Sequence, residues 1–359
     1  MCATYVYAII PSADSVVFDV AGLDDDDEEV STVSRGSIAA VIGVSPLTDY
    51  RGLQRSEAVR YLVAHQRVLE CVMRDYPALP VKFGTVLPDE DCVRRLLEQE
   101  AKLFGETLGQ LSGLAQMEVV VLWNLQDIFQ QIGQEEPVAR LKAQIASRPA
   151  EETMAERVDL GQLVKACLER QRAVISDRLL PALRQVAVDM ALNPLMDDSM
   201  VINVALLLKN TSRGALDQRL EQLDVDFGGR LRFRCVGPLP PYNFATVEVQ
   251  LPCFAAVDEA RRLLGLGDTA KVDELKRAFH EMAFRLHPDL HPDGAEGQAP
   301  MAELTQAYRL LTAYAESVPR AHGPDGRASE AAFCRETVER TFMVHLRKQE
   351  ARSPLPEVA

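Results

Sequence analysis

The chain has 359 residues and a formal net charge of −14, with 47% hydrophobic and 26% charged residues. This composition is ordinary for a globular protein, and the length predicts two or three domains. The acidic balance argues against nucleic-acid or anionic-membrane binding as the main role. We find no transmembrane-length apolar run, no signal-peptide n-region and no CxxC among seven scattered cysteines. The sequence therefore predicts a cytoplasmic protein without a metal or a disulfide framework.

The N-terminal part begins with strands. Thr4 to Pro11 is rich in β-branched and aromatic residues and predicts a strand. The acidic run at residues 24–29 is interpreted as a solvated loop, since like charges on a flexible loop offer a cation no fixed geometry. Residues 30–34 and 37–44 then predict a hairpin about Arg35-Gly36.

A helix follows from an N-cap at Ser56 to Met73. One side of this helix is predicted to be its apolar face, comprising Val59, Leu62, Val63, Gln66 and Leu69. A strand over 80–87, a charged helix over 89–111 and an apolar strand over 117–123 complete the region. This order predicts an α+β domain over residues 1–124, and a ferredoxin-like arrangement fits it.

The middle of the chain is predicted to be a second α+β domain over residues 125–252. Helices are expected over 125–147 and 152–191, then a strand over 200–209 and a helix from Ser212 to Gly228-Gly229. Two strands, over 230–236 and 245–251, flank a turn-rich segment with three prolines. Because proline fixes the backbone and removes donors, a stiff corner is the favoured interpretation over a ligand site.

The stretch from Leu275 to Asp289 predicts a basic amphipathic helix. Its apolar positions follow the 3.6-residue period of one helix face and are Leu275, Phe279, Met282, Ala283 and Leu286. Its basic residues, Lys276, Arg277 and Arg285, take solvent positions. Pro288 ends the helix, which presents His287 and Asp289 in the loop that follows.

This helix belongs to a predicted small all-α module over residues 253–318. A short helix with Val257, Ala260 and Leu264 precedes it, and a third helix follows, with its apolar face at Leu304, Ala307, Tyr308 and Leu311. The second and third helices are expected to pack as a hairpin. Residues 319–359 predict a helical tail, whose apolar positions Phe333, Val338, Phe342 and Leu346 are expected to pack on this module.

A second His-Pro-Asp tripeptide, His291 to Asp293, has no helix before it and is interpreted as loop sequence. Together the two tripeptides place His287, Asp289, His291 and Asp293 at alternate positions, which suggests metal ligands and a hydrolase as one alternative. The two prolines restrict how these side chains converge, so no metal site is predicted. His65, on an apolar helix, is expected to be a hydrogen-bonded structural residue.

Five segments resemble the gas vesicle protein F/L (GvpF/GvpL) family over about residues 3–251. They are Tyr5–Ile10, His65–Glu70, Pro80–Val86, the region from Glu118 through Asn124, and Val236–Phe244. The resemblance implies two α+β domains, the first ferredoxin-like, in a cytoplasmic gas vesicle assembly factor. It also implies binding to the small, apolar vesicle shell protein and other gas vesicle proteins. The family brings no catalytic residues or cofactor, so no enzyme activity is expected.

Residues 254–316 resemble a J domain, the module by which DnaJ-type co-chaperones engage an Hsp70. Lys276-Arg-Ala-Phe279 and His287-Pro-Asp289 stand in the expected register, and the third helix carries Gln306 to Leu311. The resemblance implies that a DnaK-type Hsp70 contacts six residues and hydrolyses ATP faster as a result. Those residues are Lys276, Arg277, Arg285, His287, Pro288 and Asp289.

Two residues depart from the J-domain pattern. Glu281 lies four residues from both Arg277 and Arg285, so it is expected to pair with them and weaken the basic face. Lys271 stands where a Ser or Thr cap is usual. These departures keep an alternative open, in which the chain is a minor structural component of the vesicle and the hairpin is a degenerate docking element without an Hsp70.

Overall fold

The computed structural model describes residues 3–23, 29–285, 298–318 and 330–348. Helices and strands are mixed along the chain, which confirms the predicted α+β class. The strands are β1 (Ala3–Ile10), β2 (Val17–Ala21), β3 (Glu29–Arg35), β4 (Ile38–Ser45), β5 (Leu79–Pro80), β6 (Val86–Leu87), β7 (Leu114–Trp123), β8 (Asp189–Leu192), β9 (Met200–Lys209), β10 (Leu231–Leu239), β11 (Thr246–Gln250), β12 (Thr269–Ala270), β13 (Ala331–Ala332) and β14 (Met343–Arg347). The helices are α1 (Arg55–Val72), α2 (Glu90–Gln99), α3 (Ala101–Leu111), α4 (Leu125–Gln134), α5 (Glu136–Ala146), α6 (Met154–Arg184), α7 (Arg213–Asp226), α8 (Phe254–Leu263), α9 (Val272–Arg285), α10 (Gln298–Ser317) and α11 (Arg335–Arg340).

The chain divides into two compact units. The first comprises Met1–Val68, Val81–Glu106 and Val247–Leu346; the second comprises Leu69–Pro80, Thr107–Thr246 and Arg347–Ala359. This division differs from the predicted boundaries at two points. β7, placed by the boundary at residue 124 in the first domain, belongs to the sheet of the second unit, and the C-terminal helices group with the first unit.

The first unit is built on an antiparallel sheet in the order β2-β3-β4-β1, and β6 also pairs with β1. The predicted hairpin between β3 and β4 is confirmed, and Gly36 in its turn has φ +65°, a conformation that glycine adopts without a steric penalty. β1 is buried from Tyr5 to Ile10, as its unbroken apolar run requires. The first four strands follow one another without an intervening helix.

Of the five residues on the predicted face of α1, only Leu69 is fully buried, and the helix otherwise buries a different side. Val59, Leu62 and Val63 are 51%, 45% and 52% exposed, whereas Tyr61 and His65 on the opposite side are buried. The reason lies in β1, whose tyrosines form an aromatic cluster that accepts the Tyr61 and His65 side of the helix rather than its aliphatic side. Ser56 lies inside the first turn instead of capping it.

Three other segments are more broken than predicted. The strand over 80–87 is reduced to β5 and β6, because a turn with Gly84 at φ +82° interrupts it. The helix over 89–111 is divided at Glu100 into α2 and α3, and the Asp89 carboxylate caps α2 by accepting from the Cys92 N–H at 2.7 Å. The helix over 125–147 becomes α4 and α5, since a proline stands at the start of α5.

The second unit contains an antiparallel four-stranded sheet in the order β10-β7-β9-β8. The predicted helix over 152–191 ends at Arg184, so that β8 forms beside β9. Alternate residues of β7 face the helices α6 and α7 and make one hydrophobic core with them. β7 is central, and this face is fully buried from Met117 onward, whereas Glu118, Val120 and Leu122 on the other face are partly exposed.

The turn-rich segment after β10 is the predicted stiff corner. Gln116 on β7 is fully buried and donates to the Asn243 side-chain oxygen at 2.8 Å. The Asn243 backbone N–H donates back to Gln116 at 3.0 Å, and its side-chain amide donates to Asn193 at 2.6 Å. This buried network satisfies the polar groups that a loop over a core exposes, which gives the motif a structural role.

The C-terminal helices α8, α9 and α10 share one core, with Val257, Leu275, Leu304 and Leu311 buried at its centre. The tail completes that core, because Phe333 and Val338 pack into it as predicted, together with Met343; the predicted Phe342 is buried outside this core, against Gln99 and Arg95. The predicted helical form of the tail is wrong. Within residues 330–348, the part of the tail that the structure describes, only α11 is helical, while β13 pairs with β12 and β14 pairs with β11. Because most of this segment is extended, its apolar side chains reach the core from strands and turns and not from one face of a helix.

Candidate functional site

The candidate site is the exposed face of α9 together with the His-Pro-Asp tripeptide that follows it in the sequence. Lys276, Arg277 and Arg285 are exposed and Leu275 is buried, so the predicted orientation of this helix is confirmed. Lys271 does stand at the start of the helix, and its backbone N–H donates to the Glu274 carboxylate at 2.9 Å. One half of a capping box thus forms without a Ser or Thr.

The hairpin of α9 and α10 is held by apolar contacts. Phe279 stacks on Tyr308 with ring centroids 4.4 Å apart and an angle of 24° between the ring planes. Leu304 and Leu311 are completely buried. A stacked pair of this kind stabilises a contact by about 0.5–1.5 kcal/mol beyond the area it buries. The packing against α10 therefore fixes the orientation of α9 and the position of its C-terminal end.

His287, Pro288 and Asp289 lie outside the described residues, as do Leu286, His291 and Asp293. The structure consequently describes the helix that leads to the first tripeptide, up to Arg285, and the helix that follows from Gln298. Among the residues it does describe, no group of His, Cys, Asp or Glu side chains is arranged to hold a metal ion.

Glu281 differs from the prediction. Within the described chain this carboxylate forms no ion pair, and the Arg277 guanidinium Nε donates instead to the backbone carbonyl of Asp273 at 3.3 Å. The expected pairing along the helix is therefore wrong for Arg277. As a result, a carboxylate without an ion pair in the described chain stands in the middle of the basic face.

Two further residues on this face were missed in the sequence. His280 is exposed next to Glu281, and Phe284 is 70% exposed although it is a large aromatic residue. Phe284 lies outside the apolar stripe that packs on α10. An aromatic residue away from this stripe was the signal in the sequence that could have identified it. The face of α9 therefore combines Lys276, Arg277, His280, Glu281, Phe284 and Arg285.

The module that carries this face is tied to α2. The Gln99 side-chain amide donates to the Phe342 carbonyl at 2.9 Å and to the Ser317 carbonyl at 3.4 Å. Its side-chain oxygen accepts from the Phe342 N–H at 3.3 Å, and the Arg95 guanidinium lies 5.8 Å from the centre of the Phe342 ring. The end of α10 and the tail are thus held against α2 within the first unit.

His65 is the structural residue that was predicted. It is 3% exposed, and its Nδ1 lies 3.0 Å from the Tyr5 hydroxyl. The Tyr5 oxygen also accepts from the Gly84 N–H at 2.9 Å, so the hydroxyl links the imidazole to the turn at Gly84. Burial lowers the pKa of His65 to about 4, which keeps the ring neutral.

The fold defines a class: an α+β protein with a helical hairpin module, in which a helix with an exposed basic face precedes a His-Pro-Asp tripeptide in the sequence. A model of gas vesicle synthesis proteins GvpL/GvpF matches residues 3–246, and a DnaJ domain model matches residues 262–316. The chain belongs to the gas vesicle GvpL/GvpF family and carries a C-terminal DnaJ domain. Both resemblances found in the sequence are confirmed.

Individual relatives agree with this assignment. The chain is 29% identical to gas vesicle protein F of Microcystis aeruginosa over 52% of its own length and 77% of the relative. It is 25% identical to gas vesicle protein F of a Streptomyces species over 67% of its length and 99% of the relative. The helical module is 40% identical to chaperone protein DnaJ of Thermoplasma volcanium over 52 residues, 14% of each chain.

Solved structures support the fold. The crystal structure of GvpF from an Anabaena species has a TM-score of 0.56 at 22% identity and covers 67% of this chain and 97% of that one. The crystal structure of GvpF from Microcystis aeruginosa has a TM-score of 0.53 at 25% identity, with 67% and 98% covered. No helix in the described residues is long and apolar enough to cross a membrane.

Proposed function

We propose that this chain is a gas vesicle assembly factor that binds the apolar shell protein and brings a DnaK-type Hsp70 to it. The observation that carries the proposal is the presence of a GvpL/GvpF part and a DnaJ domain in one chain. A shell protein rich in apolar surface is prone to aggregate before it assembles, and an Hsp70 suppresses such association. The chain performs no chemistry itself and acts in the cytoplasm at the growing vesicle.

The described part of the DnaJ domain supports docking of the Hsp70. Lys276, Arg277 and Arg285 are exposed on α9, where they attract an acidic surface and raise the rate of encounter. The stacked Phe279 and Tyr308 hold the helix in a set orientation. His287, Pro288 and Asp289 follow directly along the chain and are proposed to contact the Hsp70 and stimulate its ATPase.

The attachment of the module also supports the proposal. Gln99 holds Phe342 by hydrogen bonds in both directions, so the helical module has a defined place on α2 rather than a loose tether. A chaperone recruited by α9 is then delivered at a defined position relative to this part of the chain.

The ATPase of a DnaK-type Hsp70 from the same host tests this proposal. The purified protein is expected to raise the single-turnover rate of ATP hydrolysis, and His287→Gln is expected to abolish the increase. His345→Gln, at an exposed histidine on β14, is the matched control and retains full stimulation. If the wild type leaves the rate unchanged, the co-chaperone part of the proposal is wrong and the assembly part stands.

Glu281 favours a second candidate, a minor structural vesicle component whose hairpin docks without an Hsp70. The free carboxylate lowers the attraction of the basic face for an acidic partner. Deletion of residues 254–359 distinguishes the two candidate functions poorly. It also removes β14, which pairs with β11, and Phe342, which is the partner of Gln99. Vesicle formation by His287→Gln is the sharper measurement: normal vesicles support the structural candidate.

A further inference from the structure

Phe284 is an exposed aromatic residue at the centre of the outward face of α9. It is 70% exposed, whereas Leu275, nine residues earlier, is completely buried. Nine residues of an α-helix make two and a half turns, so Phe284 lies on the side opposite the core of the helical module. Aromatic residues within a polar rim carry much of the binding energy at protein interfaces. Phe284 is therefore positioned to anchor a contact that α9 makes.

Charged and polar side chains surround this ring on the same face. Glu281 and His280 stand three and four residues before Phe284, and Arg277 stands seven residues before it. Residues at these spacings adjoin each other, so the four side chains form one row over two turns of the helix. All four are exposed. A surface that contacts both Phe284 and Arg277 therefore also covers Glu281.

The Glu281 carboxylate determines which surface fits this row. It forms no ion pair with any residue that the structure describes, although Arg277 is only four residues away. When an interface covers a carboxylate without supplying a cation, the lost hydration opposes binding, and a uniformly acidic surface adds repulsion between like charges. A partner with a basic residue opposite Glu281 and acidic residues opposite Arg277 avoids both effects.

We propose that the DnaK-type Hsp70 recruited by this chain carries a basic residue beside an apolar pocket within its acidic docking surface. The pocket receives Phe284 and the basic residue pairs with Glu281, while acidic residues around them attract Lys276 and Arg277. This specificity rests on the proposed function, in which the DnaJ domain engages an Hsp70. It favours such an Hsp70 over one whose docking surface is uniformly acidic, because the charge order of α9 matches only the former.

Single-turnover ATP hydrolysis by the Hsp70 of the same host tests this specificity. Glu281→Arg is expected to lower the stimulation about fivefold or more, because two like charges then meet in the contact. Glu57→Arg makes the same change of charge at an exposed carboxylate on α1 and is expected to retain wild-type stimulation. Unchanged or greater stimulation by Glu281→Arg indicates a uniformly acidic docking surface and overturns the specificity.

An exchange of charges between the partners identifies the basic residue. Each lysine and arginine on the surface of the Hsp70 is changed to glutamate in turn and combined with Glu281→Arg. One Hsp70 variant is expected to recover most of the stimulation with Glu281→Arg and to lose it with the wild-type chain, since only directly paired residues compensate each other. A loss caused by altered folding of α9 gives no such recovery. If no Hsp70 variant restores stimulation, the pairing of Glu281 is wrong.

The anchoring role of Phe284 has a separate measurement. Phe284→Ala is expected to lower the stimulation about tenfold, since the pocket then receives no ring. Phe129→Ala is the matched control, because Phe129 is 43% exposed on α4, and it retains wild-type stimulation. Wild-type stimulation by Phe284→Ala overturns the anchoring role while recruitment of the Hsp70 stands. If the wild-type chain itself gives no stimulation, the co-chaperone part of the proposed function fails as well.

Discussion

At the residue scale, burial of His65 beside Tyr5 restricts the protonation of the His65 imidazole. The Tyr5 hydroxyl lies 3.0 Å from Nδ1 and accepts from the Gly84 N–H, while Nε2 has no hydrogen-bond partner in the described structure. Because His65 is buried among aromatic rings, the charged form of its imidazole is less favourable than the neutral form. The ring therefore stays neutral in the folded chain. As a consequence, the free energy of unfolding decreases when the pH falls.

His65 predicts a pH dependence of stability. Its pKa is about 4 in the folded chain and has its ordinary value of 6.5 in the unfolded chain, so the unfolded chain binds more protons between these values. The contribution is fully present above pH 6.5 and is lost as the pH falls towards 4. We expect a loss of about 2 kcal/mol from pH 7 to pH 5 in urea unfolding.

His65→Gln is expected to flatten this part of the pH profile, whereas the exposed His345→Gln retains the wild-type slope. Equal slopes for His65→Gln and the wild type would show that other groups cause the dependence.

Asn243 is the second residue with a sharp expectation. Asn243→Ala removes the acceptor that lies 2.8 Å from the fully buried Gln116 side-chain nitrogen and leaves this nitrogen only the longer 3.4 Å contact with the Glu118 carboxylate. The free energy of unfolding should fall by about 2–4 kcal/mol, measured by urea denaturation. Asn210→Ala, at an exposed asparagine, should change it by less than about 0.5 kcal/mol. A small effect of Asn243→Ala contradicts a structural role for the corner.

At the element scale, α9 carries one packed and one exposed phenylalanine, five residues apart on opposite faces of the helix. Phe279 faces α10 and stacks on Tyr308, whereas Phe284 is 70% exposed on the same helix. The periodicity of the sequence identified the packed face correctly. It did not identify the free carboxylate of Glu281, because the formation of a surface ion pair depends on rotamers that sequence spacing leaves open.

The two phenylalanines give a matched pair of variants. Phe279→Ala is expected to lower the stability of the helical module by about 2 kcal/mol, since it removes a stacked contact with α10. Phe284→Ala should stay within about 0.5 kcal/mol of the wild type, because most of its surface is already in water. Thermal unfolding followed by circular dichroism compares them, and equal losses would contradict the described orientation of α9.

At the scale of the whole molecule, the tail connects parts that the family models treat separately. The GvpL/GvpF model ends at residue 246 and the DnaJ model covers 262–316, so residues 330–348 lie outside both. Yet β14 pairs with β11, Phe333 and Val338 enter the core of the helical module, and Phe342 contacts Gln99. The tail therefore belongs to the fold of the first unit.

Gln99→Ala tests this connection without removing any core side chain. The variant is expected to stay folded, while amide hydrogen exchange at Phe342 accelerates about tenfold, because its N–H loses the Gln99 oxygen. Gln110→Ala, at an exposed glutamine on α3, serves as the control and leaves the exchange unchanged. Unchanged exchange in Gln99→Ala would show that this contact does not hold the module.

The sequence by itself determined the α+β class, the hairpin at Gly36, the orientation of α9 and both family relationships. These features depend on local periodicity, turn chemistry and motifs, all of which involve residues close together in the sequence. Only the tertiary structure decided which side of α1 is buried, that β7 belongs to the second unit, and that the tail is mostly extended. Each of these depends on partners distant in sequence: the tyrosines of β1, the strands β9 and β10, and the core of the helical module. Burial is a property of such partners, so an apolar residue alone does not reveal whether it meets a core or a protein yet to bind.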